Sequence, residues 1–112
     1  MTNRNYIKGR NFEYRVIKYL RGKGYYCIRA YASKGLFDII AVPPNAGIMT
    51  SDGDKFPLLI QAKYNGQVPN KEMDVLLSKQ WEWFGIILIA WSDVNNKNKL
   101  SFYDLKGEDV II

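Results

Sequence analysis

The sequence predicts an α/β fold in which helices pack on a mixed β-sheet. Two segments repeat their apolar residues at helical spacing, short runs rich in β-branched and aromatic residues lie between and after them, and Gly, Pro and Asx breaks separate all of these. The order is α-β-β-β-α-β-β. No linker-like stretch divides the chain and 112 residues is the length of one domain, so a single domain over residues 1–112 is expected.

From Lys8 to Arg21, Phe12, Val16, Ile17, Tyr19 and Leu20 recur at helical spacing until Gly22 and Gly24 stop the pattern. Tyr25 to Ala30 reads as a strand, Ala32 to Gly35 as a small polar turn, and Phe37 to Val42 as a second strand ended by Pro43-Pro44. Residues 45–55, with Gly47 and Ser51-Asp52-Gly53-Asp54, suit a hairpin connection into a third strand, Leu58 to Tyr64. After a loop from Asn65 to Pro69, Asn70 is the expected N-cap of a helix from Lys71 to Phe84. Met73, Leu76, Leu77, Gln80, Trp81 and Phe84 form its apolar stripe, and Gly85 ends it. Trp81 and Trp83 point to nearly opposite sides, so one is expected in the core and the other is left for a partner or solvent. Ile86 to Trp91 reads as a buried strand, Asn95 to Lys99 as a turn, Leu100 to Leu105 as a strand, and Val110 to Ile112 as a short terminal one.

Composition narrows the chemistry. There is no histidine and one cysteine, Cys27, which excludes imidazole bases, zinc sites that need imidazole and any intramolecular disulfide. Catalysis has to use carboxylates, amides, lysines, hydroxyls and hard cations. The net charge of +5 and pI near 9.3 favour an anionic partner, although a basic face can also serve solubility alone. Met1 to Lys8 lacks the apolar core of a signal peptide, and Phe84 to Trp91 falls short of the roughly 18 residues of a membrane span. A soluble, cytoplasmic protein without a membrane partner is expected.

Four polar residues interrupt these apolar patterns. Glu13 shares a helix face with Val16, Ile17 and Leu20, where a carboxylate must be paired, neutralised or bound to a cation; at the stripe's edge it would simply meet water. Asp38 opens the strand Phe37-Asp38-Ile39-Ile40-Ala41-Val42, as a turn cap or for chemistry. Within Leu58-Leu59-Ile60-Gln61-Ala62-Lys63-Tyr64, strand alternation puts Gln61 and Lys63 on one face and Ile60 and Ala62 on the other.

Together, Lys8-Gly9-Arg10-Asn11-Phe12-Glu13-Tyr14, Arg29-Ala30, Ser33-Lys34-Gly35, Phe37-Asp38-Ile39-Ile40-Ala41 and Ile60-Gln61-Ala62-Lys63 resemble the archaeal Holliday-junction resolvase branch of the PD-(D/E)XK nucleases. The resemblance covers about the first two-thirds of the chain. It implies a restriction-endonuclease-like core with Glu13 as the helix acid, Asp38 as the strand acid, Lys63 as the lysine of E-x-K, and Ser33 near the scissile phosphate. Gln61 departs from it: resolvases typically carry glutamate there, while Q-x-K occurs among Mrr-like nucleases.

Phosphodiester hydrolysis by these residues calls for Mg²⁺ or Mn²⁺, with Asp38, Glu13, the Gln61 side-chain oxygen and the Ala62 carbonyl as ligands or orienting groups. Lys63 is expected to position the attacking water or stabilise developing charge, and Ser33 to hydrogen-bond a phosphate oxygen. Arg4, Lys8, Arg10, Arg29 and Lys34 are the expected phosphate contacts. Symmetric cutting of a branched DNA calls for a homodimer. The competing readings are a restriction-like or Mrr-like nuclease and a non-catalytic DNA-binding relative.

Overall fold

The computed structural model describes residues 4–30, 36–44, 56–83 and 85–112, with the side chains of residues 4–6 outside that description. The turn expected before the second strand and the connection expected over 45–55 lie outside the described residues, as does Phe84. A long helix α1 (Arg4–Gly22) leads into β1 (Tyr26–Arg29), β2 (Ile39–Val42) and β3 (Leu58–Ala62). Helix α2 (Asn70–Lys79) then precedes β4 (Ile86–Asp93), a 3₁₀ turn (Val94–Asn96), β5 (Lys99–Tyr103) and β6 (Asp109–Val110). One sheet holds all these strands in the order β1-β2-β3-β4-β5-β6. Its pairings are antiparallel except β3 with β4, which are parallel. A parallel pair needs a crossover, and α2 provides it. The α/β class with a mixed sheet and helices is therefore present.

The core follows from strand alternation. On one face Phe12, Val16, Ile17 and Leu20 of α1 pack on Cys27, Ile39, Ala41, Leu58, Ile60, Leu88, Ala90 and Phe102. On the other, Leu76 of α2 packs with Leu59, Ile87 and Ile89. The continuous apolar run in β4 thus reflects a strand covered on both faces.

Several boundaries differ from expectation. α1 begins at Arg4, not Lys8, and runs through Gly9, because the apolar stripe further along anchors the helix. Asn70 is the first residue of α2 and not its cap; Pro69 holds the cap position without a side-chain bond, and its carbonyl accepts from Met73 N at 2.9 Å. α2 stops at Lys79, where Glu82 N turns back to the Lys79 carbonyl at 3.0 Å. The apolar stripe continues past that helix end, so its register no longer applies. Leu76 is fully buried, Leu77 is exposed, and Trp81 is 88 % exposed. Neither tryptophan enters the core: Trp83 is half out and meets the Phe37 ring edge-on at 5.6 Å.

Candidate active site

The site grows from the place where β2 and β3 part. Their paired register ends at Ile39 and Ile60. Beyond it, Asp38 N donates to the Ile60 carbonyl at 2.8 Å, but Ala62 N donates to the Asp38 carboxylate (Oδ2) at 2.8 Å. Asp38 therefore fills the fork with its side chain. The N–H and C=O of a strand residue lie on the same strand edge, so the Ala62 carbonyl shares this edge.

Gln61 lies beside the fork and is only 6 % exposed. Its Nε2 donates to the Leu36 carbonyl at 2.9 Å. A carbonyl can be met only by the NH₂ end, which fixes the amide's orientation. Oε1 is left as a buried acceptor with no hydrogen-bond partner among the described residues. Such a group costs about 1–3 kcal/mol unless something meets it.

Lys63, just past β3, and Glu13, on α1, close the site, each tied to a charged partner. Lys63 Nζ contacts Glu72 Oε2, in the first turn of α2, at 2.8 Å. On α1, Glu13 is buried against the sheet and accepts from Arg29 Nε of β1 at 3.0 Å. The structure thus turns Glu13 inward and away from water.

Electrostatics tie these groups together. Burial pushes the Asp38 carboxyl above its ordinary 3.8; the Ala62 N–H and the charges of Lys63 and Arg29 oppose that rise, and Glu72 reinforces it. Burial also pushes Glu13 above its ordinary 4.5, the Asp38 charge adds to it, and Arg29 works against it. Two carboxyls held above their usual range beside one another are an arrangement that a cation relieves.

Of the expected site residues, Asp38, Ala62 and Lys63 meet at one end of β2 and β3 with Glu13 in electrostatic reach of Asp38, and Gln61, next to Ala62 in β3, bonds Leu36 ahead of β2. Ser33 and Lys34 lie outside the described residues, and only the main chain of Arg4 is described. Lys8 sits over the Tyr64 ring with Nζ 4.5 Å from its centroid, and Arg10 is partly buried on α1. Arg29 differs from expectation: its side chain is 17 % exposed and engaged with Glu13, which makes it part of the site and not of an open basic face. Glu72 was not anticipated. The available signal is the short loop, turned by Gly66 N bonding the Lys63 carbonyl at 2.7 Å, which returns the acidic first turn of α2 to the end of β3.

Among the described residues no three His, Cys, Asp or Glu side chains form a metal-holding group. Protein oxygens for a cation would come from Asp38 and Glu13 with the Gln61 amide and the Ala62 carbonyl. The orphaned Gln61 oxygen and the uplifted Asp38 carboxyl fit a hard cation such as Mg²⁺, which keeps several waters and takes few protein ligands. No protein-family model matches the chain, and a search of the curated proteins finds no match.

Proposed function

We propose that this chain is a metal-dependent endodeoxyribonuclease with a restriction-endonuclease-like core, acting on branched DNA such as a four-way junction. The observation that carries the reading is the fork, where Asp38 accepts from Ala62 N beside the unpartnered Gln61 oxygen, with Lys63 and Glu13 at the same strand ends. The order α1-β1-β2-β3-α2-β4, with an acid on α1, an acid before β2 and a lysine after β3, supports it.

Asp38, Gln61, the Ala62 carbonyl and Glu13 would hold Mg²⁺ or Mn²⁺. When bound there, such an ion would supply positive charge against the phosphoryl oxygens and lower the pKa of water. Lys63, held by Glu72, presents its ammonium to the attacked phosphate and stabilises charge that develops there. Arg29 orients the Glu13 carboxylate and limits its repulsion with Asp38. Lys8, Arg10 and Lys34 supply phosphate contacts that carry no sequence information, which suits a reader of DNA shape. A homodimer places two such sites on one junction, and the exposed Trp81 is an anchor for that contact. Gln61, an amide where resolvases carry a carboxylate, favours a restriction-like or Mrr-like nuclease as the second reading.

The test incubates a labelled four-way junction and a matched duplex with Mg²⁺ or Mn²⁺. Junction cleavage lost in Asp38→Asn supports the first reading, and equal cutting of duplex supports the second. Binding without cleavage in either metal leaves a non-catalytic DNA-binding relative.

A further inference from the structure

A groove of about 450 Å³ lies beside the site, lined by Ile7, Lys8, Asn11, Phe12, Arg15 and Tyr64. That volume is within the range of about 300–1,000 Å³ usual for small-molecule pockets. Its walls are aromatic, basic and amide in character, with no acidic residue. Tyr64 is 40 % exposed, and its ring is braced by the Phe12 ring, edge-on at a centroid distance of 5.5 Å. Arg15 is fixed at the rim by the Ser92 hydroxyl at 3.0 Å and by the Asn98 carbonyl, which leaves part of its five-donor fork available. The groove and the site are neighbours along the chain, since Phe12 precedes Glu13 and Tyr64 follows Lys63.

We propose that this groove binds one unpaired nucleotide of a DNA strand, with its base stacked on Tyr64, the Asn11 amide at the base edge, and Lys8 and Arg15 on its phosphate. The inference rests on the DNA-cleaving reading for its ligand class and adds a preference for DNA with single-stranded character next to the cut. Lys8 Nζ covers the Tyr64 ring at 4.5 Å when no base is there. A base that takes the ring face frees the ammonium for the adjoining phosphate. The exchange is favourable, since base stacking on an aromatic side chain exceeds an exposed cation–π contact and a phosphate charge is gained. The braced ring is a platform already in place before the base arrives.

The experiment uses the 112-residue chain in EDTA, so that no cleavage intervenes. A short single-stranded oligonucleotide carrying 2-aminopurine is compared with the same sequence fully paired. Stacking on Tyr64 predicts a fluorescence change in the single strand on binding. Tyr64→Leu should abolish that change and weaken single-strand binding about tenfold, with duplex affinity altered less than about twofold, and Tyr64→Phe should retain both signals. An unchanged 2-aminopurine signal in the wild-type complex overturns the inference, whatever the variants do. So does a Tyr64→Leu protein that melts normally and binds single strands as tightly as the wild type. A wild type that cleaves DNA but shows no stacking signal sinks this inference alone, whereas stacking without metal-dependent cleavage sinks the nuclease reading alone.

Discussion

At the scale of single residues, Asp38 is the group on which most interactions meet. Asp38 and Glu13 both hold a proton more tightly in the folded chain than in the unfolded one. Their contribution to stability is therefore full below the ordinary values of 3.8 and 4.5 and is lost as pH rises through the raised folded values. Asp38→Asn keeps an oxygen for Ala62 N but carries no charge. Metal-free Asp38→Asn should melt above the wild type at neutral pH, with a flatter pH dependence, in thermal scans from pH 4 to 8; a lower melting temperature at neutral pH contradicts the assignment. Glu72 offers a second test. Glu72 offsets the Lys63 ammonium beside the site, so removing its charge leaves that ammonium opposing a cation, an effect that the 44 % exposure of the Glu72 side chain screens. Glu72→Gln should weaken Mn²⁺ binding about tenfold, and adding Gln61→Glu should restore it, as read by titration calorimetry. Glu13, Asp38, Gln61 and Lys63 were legible in the sequence because each interrupts an apolar pattern. Glu72 was not, because a glutamate in a helix's first turn is ordinary, and only the path of the chain after Gly66 brings it to Lys63.

At the scale of elements, α2 is held by little. Leu76 is its fully buried residue, and it packs on Leu59, Ile87 and Ile89. Leu76→Ala should cost about 2–5 kcal/mol in urea unfolding and loosen the helix that carries Glu72. The connection from α2 to β4, by contrast, is tight. A Cβ on Gly85 would lie 2.9 Å from the Pro57 carbonyl oxygen and 3.1 Å from Leu59 Cγ, so Gly85→Ala should cost about 1–3 kcal/mol in the same measurement. Hydropathy periodicity identified both helices and the strands, since burial against a sheet demands it. It missed their ends, because a pattern reports which side chains face inward and not where main-chain bonds stop. α1 reaches back to Arg4 through polar residues, and the apolar residues beyond Lys79 belong to a turn that displays Trp81. The parallel pairing of β3 with β4 was not readable from either strand; it follows from a helix of ten residues joining them.

At the scale of the whole molecule, the charge of +5 bears on partners more than on fold. If Lys8 and Lys34 contact phosphates, replacing both by Gln should lower the slope of log K against log salt by about two, and an unchanged slope places the DNA surface elsewhere. Among the described residues no helix is long and apolar enough to cross a membrane. The fork, the two ion pairs and the buried amide oxygen all bear on one claim, that the ends of β2 and β3 hold a divalent cation. Calorimetric titration of Mn²⁺ into wild type and Asp38→Asn tests it most directly. Saturable binding of one ion per chain, absent in Asp38→Asn, is the expected result; no saturable binding by the wild type, or equal binding by both proteins, would contradict it.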